Sequence, residues 1–524
     1  MHTDDRSYTE NSSTPSPVPP ITIEGLSFSY PSYPGLGAVH LFEDANFLLK
    51  PGETRIILGS PESGKTTLSR ILAGFIPRYS GGSIEGAVRL GETDILSTPP
   101  SHLIDRIGMI FQDPDEQIFT TTCESEVAFP LESLGLNQEK MRRRIEEGLA
   151  ITQLESFRER PPGSLSGGEK KKLLFTVLFA LRPSYWILDE SMDEMDFEST
   201  RRIFSHLCNG EYGVLLFASK ILDVFAEFPL RYSILEDKKI YCEEEIGKEE
   251  LIERARGLGL AYDGSGRIWE GLQASRGIPQ TSGGFLPASG GIPQTSTPLL
   301  SASGLHFSYG NTSHKKTAVE GTAFSLNIEN LDIYAGERVA LVGPNGCGKT
   351  TLAKLLCGLL PPDAGTVRGI DSGPLETQVA YIFQNPDYQI FLPTVEDELA
   401  YGLKELGLPR EEIDTRVAEA SERFLLPALN VPPTMMSYGA RKRLQAAVYY
   451  LLERRVYIID EADSGLSLRD FANLVDSLAG RESALIIITH NERMGRIYSD
   501  RTLFMQQGTL IQSKDRRNPG GGEG

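Results

Sequence analysis

Short apolar runs that stop abruptly at polar or acidic residues recur along this chain. "RIILGS" (residues 55–60) and "RVALVG" (residues 338–343) each lead into a glycine-rich segment, and an amphipathic pattern follows each. Such a succession predicts a strand, a loop and a helix. "YWILDE" (residues 185–190) and "VYIIDE" (residues 456–461) are apolar up to two successive carboxylates. Runs of this kind read as parallel strands buried on both faces, carrying their acids to the C-terminal edge of a sheet. "LLFTVLFAL" (residues 173–181) reads as a buried helix, and no stretch approaches the ~20 apolar residues a spanning helix needs.

The runs come in pairs. "IGMIFQDPDEQIF" (residues 107–119) recurs as "VAYIFQNPDYQIF" (residues 379–391), and "SLSGGEKKK" (residues 164–172) recurs in outline as "MMSYGARKR" (residues 435–443). The offset is 272 between Gln112 and Gln384, and 271 for both Ser166 to Ser437 and Asp189 to Asp460. So steady an offset marks a tandem duplication. The first copy is longer between its loop lysine and its glutamine, and the surplus around "LGETDILSTPP" predicts a lengthened surface hairpin. A Gly-, Pro- and Ser-rich segment, in which "GIPQTS" occurs twice, reads as a tether between the copies. The expected division is one domain over residues 21–260, a linker over 261–300 and a second domain over 301–513. Residues 1–20 and 514–524 are expected to be disordered tails.

Composition narrows the class. A chain of 524 residues suggests several domains, and 40% apolar with 23% charged residues is the balance of a globular protein. The net charge of −19 argues against a general phosphate-backbone binder, so no nucleic acid is expected as a partner. The polar, acidic N-terminus does not read as a secretory signal. Five cysteines without metal-ligand or disulfide spacing fit reduced thiols in a cytoplasm.

The chemistry lies where the apolar runs end. Each copy carries G-x-x-x-x-G-K-T: Gly59, Ser60, Pro61, Glu62, Ser63, Gly64, Lys65 and Thr66, then Thr67; and Gly343, Pro344, Asn345, Gly346, Cys347, Gly348, Lys349 and Thr350, then Thr351. The glycines let successive N–H groups turn toward phosphate oxygens, and the following helix adds its positive end. Lys65 and Lys349 would reach the β- and γ-phosphates of ATP, with Thr66 and Thr350 on Mg²⁺. A chance glycine-rich turn would not occur twice in the same context. Glu62 stands where the second copy has Gly346, and a carboxylate there is expected to weaken or alter nucleotide binding. Asp189 and Asp460 suit Mg²⁺ through water, and Glu190 and Glu461 suit polarising an attacking water.

These residues, with Ser166, Gly167, Gly168 and Glu169 and with Gln112 and Gln384, resemble two ATP-binding-cassette (ABC) ATPase domains fused in tandem over roughly residues 21–513. "FQDPDEQIF" and "FQNPDYQIF" resemble the ATPases of energy-coupling-factor transporters, which take up vitamins, cobalt and nickel. The resemblance implies an α/β fold of two P-loop domains, each with a mainly parallel sheet core, an antiparallel β subdomain and a helical subdomain. It implies that Tyr30 and Tyr309 stack on adenine, although strand-core aromatics would look the same. It gives Gln112 and Gln384 the sensing of Mg²⁺ and the γ-phosphate, and His490 a γ-phosphate contact. Lys220 is expected at the position equivalent to His490, either contacting phosphate or pairing with Glu190 and quenching it.

In this family each ATP lies between one domain's phosphate loop and the other's Ser-Gly motif. The departures then collect on one side. Site one joins Lys65, Glu190 and Lys220 to Ser437, Tyr438, Gly439 and Ala440; site two joins Lys349, Glu461 and His490 to Ser166, Gly167, Gly168 and Glu169. "DEMD" (residues 193–196) would serve site two, and "SGLS" (residues 464–467), lacking the last acid, site one. The expectation is an asymmetric ATPase in which site two hydrolyses and site one mainly binds. The implied partners are a transmembrane coupling subunit and a substrate-binding membrane subunit, with the chain peripheral on the cytoplasmic face of the membrane. Asp113, Asp115, Glu116 and Asp387 are candidates to receive basic residues from the coupling subunit, or are solvated acids. The alternative is a soluble tandem ABC ATPase acting on ribosomes. It sits less well with an acidic chain, a Gly/Pro/Ser-rich linker and one altered site. A chromosome or DNA-repair ATPase would need a coiled coil or zinc cysteines.

Overall fold

The structure, a computed structural model, describes residues 18–31, 39–193, 195–261, 297–309, 324–344, 346–461, 466–480 and 482–512. The first half begins with β1 (Ile21–Tyr30) and β2 (Val39–Leu49), then β3 (Thr54–Gly59) and α1 (Lys65–Leu72). A hairpin of β4 (Ser83–Leu90) and β5 (Thr93–Asp94) precedes β6 (Ile107–Ile110). Three helices follow: α2 (Cys123–Ser133), α3 (Gln138–Thr152) and α4 (Gly167–Leu181). The chain then returns through β7 (Tyr185–Asp189), α5 (Phe197–Leu207), β8 (Gly213–Ala218), β9 (Arg231–Glu236) and β10 (Lys239–Cys242), ending with α6 (Glu243–Ile246) and α7 (Lys248–Gly257).

The second half repeats the order. It opens with β11 (Leu300–Ser308), β12 (Ser325–Ile333), β13 (Arg338–Val342) and α8 (Lys349–Leu356). Next come β14 (Ala364–Gly369), α9 (Leu375–Gln378) and β15 (Val379–Ile382), then α10 (Val395–Glu405), α11 (Arg410–Arg423) and α12 (Tyr438–Leu451). It closes with β16 (Val456–Asp460), α13 (Leu468–Leu478), β17 (Ala484–Thr489), α14 (Glu492–Tyr498), β18 (Arg501–Gln506) and β19 (Thr509–Gln512).

Each half has a parallel core in one strand order, β9-β3-β8-β7-β6 and β18-β13-β17-β16-β15, beside an antiparallel sheet built on β1 or β11. The core strands are buried throughout, and alternate side chains enter different clusters. Ile56 and Leu58 face the cluster containing the α2–α4 helices, while Ile57 and Leu215 face the one shared with the antiparallel sheet. A sheet covered on both faces has no use for alternating polarity, so its strands read as unbroken apolar runs. The surplus of the first half forms the β4–β5 hairpin, with Leu90 opposite Thr93.

Two boundaries move. Pro19 and Pro20 are not part of a loose tail: their carbonyls accept from Tyr185 Oη at 2.8 Å and Gly91 N at 3.0 Å. At the other boundary Leu299 already pairs with Ile333 and β11 starts at Leu300, before the expected residue 301. These hydrogen bonds tie both ends to the sheets. The repeated linker hexapeptide and the C-terminal tail lie outside the described residues.

Candidate functional site

Both phosphate loops leave a buried strand and enter a helix at the lysine. Gly64 (φ +99°) and Gly348 (φ +109°) turn the chain, and a Cβ at either would strike the ring of Phe42 or Phe324. The Lys65 ammonium donates to the carbonyls of Gly59 (2.8 Å) and Ser60 (3.0 Å), and that of Lys349 to Gly343 (2.8 Å) and Pro344 (3.1 Å). Pro61 completes the turn, and Ser63 Oγ is buried inside it without a hydrogen-bond partner. An orphaned donor in a cradle of N–H groups fits phosphate oxygens. Cys347 is buried at the same point of the second loop, and Asn345 lies outside the described residues. Glu62 (φ +69°) and Gly346 (φ +74°) share the left-handed conformation. Glutamate therefore keeps the loop's shape at a cost on the order of 1 kcal/mol. Tyr30 and Tyr309 lie behind the loops, their hydroxyls bonded to Thr67 (3.1 Å) and Thr351 (3.2 Å).

The acids end their strands beside the loops. Asp189 accepts from Ser69 Oγ at 3.2 Å and from the Thr66 hydroxyl; Asp460 accepts from Thr350 Oγ1 at 3.0 Å and from Tyr381 Oη at 2.5 Å. In each carboxylate the Oδ1 atom is buried with no partner. Burial, and then the adjacent Glu190 charge, pushes Asp189 up to about 6; burial likewise raises Asp460. Buried, unsatisfied carboxylate oxygens fit a cation or its bound water. Among the described residues no group of three His, Cys, Asp or Glu could hold a metal by itself. A metal here would therefore take other ligands, such as phosphate oxygens.

The next residue in each half is held tightly. Glu190 (φ +45°) and Glu461 (φ +48°) are non-glycine residues in the left-handed region. Gln112 Nε2 donates to Glu190 at 2.9 Å, and Gln384 Nε2 to Glu461 at 3.0 Å. Glu190 also accepts from Ser219 Oγ and lies 3.4 Å from the Lys65 ammonium. A further support comes from the Ser-Gly helices. The buried Lys171 donates to the carbonyls of Asp193 (2.9 Å) and Glu190 (3.4 Å), and Lys442 to that of Glu461 (2.8 Å). Sequence reasoning missed these lysines, although both stand five residues after the motif serine.

The two Ser-Gly motifs begin their helices differently. Ser166 caps α4 in a capping box: Glu169 accepts from both the amide and the hydroxyl of Ser166 at 2.8 Å. Ser437 caps α12, but Ala440 offers no carboxylate in return. The Ser437 hydroxyl instead donates across to Glu62 of the first phosphate loop at 2.8 Å. Gly168 and Gly439 are buried, and Tyr438, in place of Gly167, donates to the Gln384 carbonyl at 2.7 Å. Arg469, on α13, also reaches the Gly257 carbonyl of the first half.

The sequence profile of the ABC transporter family matches residues 42–193 and 326–464, which together span both loops, both acid pairs and both Ser-Gly motifs. The chain belongs to the ABC transporter family. A putative ABC transporter ATP-binding protein of Methanosarcina acetivorans is 31% identical over 94% of this chain and 85% of its own length. One from Treponema denticola is 30% identical over 94% of this chain and 96% of its own. The solved RNase-L Inhibitor matches 93% of this chain and 90% of its own with a TM-score of 0.55 at 18% identity, a likeness of fold. The chain is a tandem ABC ATPase, and ABC ATPase domains are ATP-binding domains.

Within that ABC frame the expectation for Lys220 needs correction. In the sheets Asp189 pairs with Phe217 and Asp460 with Ile488, while Leu58 pairs with Ala218 and Val342 with Thr489. The residue after Ala218 therefore matches the residue after Thr489, so Ser219, not Lys220, is the counterpart of His490. A one-residue slip sends the side chain to the other face of the strand. Lys220 turns to Asp193 at 3.5 Å in a buried pair, and Ser219 is the residue on Glu190.

The missing acid of "SGLS" also changes meaning. Asp196 caps α5 by accepting from Ser199 N (2.8 Å), and Ser467 caps α13 by accepting from Asp470 N (3.1 Å). Both residue types cap helices well, so the exchange preserves a local function. The acidic residues after the glutamines are likewise engaged within the chain: Asp115 with Lys170 at 2.5 Å, Asp387 with Arg441 at 3.0 Å, Glu116 with Arg70 at 3.0 Å. Asp113 caps its own turn through Asp115 N at 2.8 Å.

Proposed function

We propose that this chain is the motor subunit of an ABC importer of the energy-coupling-factor type. It sits on the cytoplasmic face of a membrane beneath a transmembrane coupling subunit and a substrate-binding membrane subunit. The observation that carries this reading is a duplicated pair of exposed aromatics beside the glutamine loops. Phe119 packs edge-on against Phe129 with centroids 4.9 Å apart, and Phe391 against Tyr401 at 5.7 Å. The four side chains are 46–70% exposed, and the pairs are related by the same 272-residue offset as the glutamines. Large apolar groups left in water at two equivalent places suit a partner's apolar segments. No described helix is long and apolar enough to cross a membrane, so in this reading the membrane path belongs to the partners.

In site two the Lys349 loop holds the phosphates, and Glu461, oriented by Gln384, polarises the attacking water. Thr350 and Asp460 would hold Mg²⁺, which supplies positive charge against the phosphates when bound. His490, at the end of β17, serves the γ-phosphate. Tyr309, 59% exposed, leaves a ring face open for adenine. The test is co-purification from detergent-solubilised membranes, comparing the native chain with the Phe119→Ser/Phe391→Ser variant. The native chain should carry membrane subunits and the variant should lose them while still binding ATP. Sedimentation with ribosomes, with no membrane partner, would replace this proposal with the soluble alternative.

A further inference from the structure

We propose that site one is built to close on a nucleoside diphosphate, with the Glu62 carboxylate standing in for the terminal phosphate of ATP as the acceptor for Ser437. The inference rests on reading the phosphate loops as nucleotide sites and is independent of the membrane partner.

Two departures from the ordinary pattern compensate each other. In the first half the Ser166 hydroxyl gives its proton to Glu169, three residues on. In the second half Ala440 removes that acceptor, and the Ser437 hydroxyl finds a carboxylate on the opposite loop instead. The acid has moved from the Ser-Gly motif to the phosphate loop that the motif faces. Either change alone would leave a serine without this partner or a glutamate pointing at nothing. Together they make a hydrogen bond between residues 62 and 437 with no nucleotide needed to bridge them.

The rest of the cradle is intact. Glu62 keeps the backbone conformation that Gly346 has in the other loop, and Lys65 turns inward onto Gly59 and Ser60 as Lys349 does onto its own loop. Tyr30 is bonded behind the loop as Tyr309 is in the second half. The glycine turn, the lysine and the left-handed residue of the loop are therefore arranged alike in both sites, although the buried Ser63 hydroxyl stands where the second loop has Cys347. The change that brings a charge lies at the outer end. There a third phosphate would compete with Glu62 for one hydroxyl and bring a second anion against the carboxylate, and like charges at contact repel. The two positions from which a cation would offset this charge are otherwise engaged. Lys220 pairs with Asp193, and the position matching His490 holds a serine bonded to Glu190.

The experiment measures binding to the full chain in a Lys349→Ala background, which silences the second loop, by calorimetric titration with Mg²⁺-ADP and Mg²⁺-ATP. Site one should take ADP at least about tenfold more tightly than ATP. Glu62→Gly should abolish that preference by strengthening ATP, and Glu62→Gln, which still accepts from Ser437 but carries no charge, should fall between. In a Lys65→Ala background, Glu62→Gly should leave the second site's affinities unchanged. The proposal is overturned if site one binds ATP as tightly as ADP, if it binds neither, or if neither Glu62 variant moves the ratio. Should the glycine variant fold poorly, the glutamine variant decides alone. A failure to find membrane partners would sink the importer reading and leave these titrations untouched.

Discussion

Tyr438 donates its hydroxyl to the main-chain carbonyl of Gln384 at 2.7 Å, within one half of the molecule. The residue that looks like damage in a motif serving site one thus holds the glutamine of site two. The Lys442 ammonium lies 5.1 Å from the centroid of the Tyr438 ring and donates to the Glu461 carbonyl. Helix α12 therefore carries Ser437, docked on Glu62, together with supports for Gln384 and Glu461, the two groups proposed to act at site two.

Tyr438→Phe keeps the ring and removes the hydroxyl. Losing a hydrogen bond of ~1 kcal/mol from the positioning of Gln384 should lower kcat about fivefold, with little change in the KM for ATP. Steady-state kinetics with a melting curve checks this. A fall in stability at unchanged kcat would mean that the tyrosine only packs.

Glu461→Gln should remove most ATPase activity, by about a hundredfold or more, because positioning and charge stabilisation dominate phosphoryl transfer. Glu190→Gln should cost much less, since site one lacks a histidine beside its glutamate. Equal losses in the two variants, measured as phosphate release, would contradict the asymmetry.

Lys220→Met should destabilise the first domain by on the order of 3 kcal/mol, because the buried Asp193 carboxylate loses an ion-pair partner. Nucleotide affinity at site one should hardly change. Chemical denaturation and nucleotide titration of the same variant separate the two effects. Weakened binding at normal stability would return Lys220 to the phosphate.

Acid should loosen the first half through Glu244, whose carboxylate the Arg55 guanidinium holds at about 2. The folded value lies below the ordinary one near 4.5, so the unfolded chain binds the extra proton first. The stabilisation is complete above about pH 4.5 and is lost as pH falls toward 2. Glu244→Gln should flatten that part of the stability curve, which denaturation at several pH values would show.

Much of the site was legible in the chain because its parts are local. A phosphate loop is contiguous, and so is an apolar strand ending in Asp-Glu. The two-sided burial of β7 and β16 follows from the same unbroken apolar runs. Lys171 and Lys442 were hidden among neighbouring basic residues, of which a helix turns only some inward. Ser219 was within reach of the spacing, since the 271-residue offset from Asp189 to Asp460 puts residue 219, not 220, opposite His490, and the strand pairing gives the same match.

By itself the sequence determined the duplication, the two nucleotide loops, the acids beside them and the side on which the departures collect. Each is set by short-range spacing. Tertiary structure decided what the departures do. Only folding brings Ser437 to Glu62 across 375 residues of chain, sends Tyr438 back to Gln384 and commits Lys220 to Asp193. A hydrogen bond or ion pair depends on angstroms in space, and no one-dimensional spacing encodes which distant partner a side chain will meet.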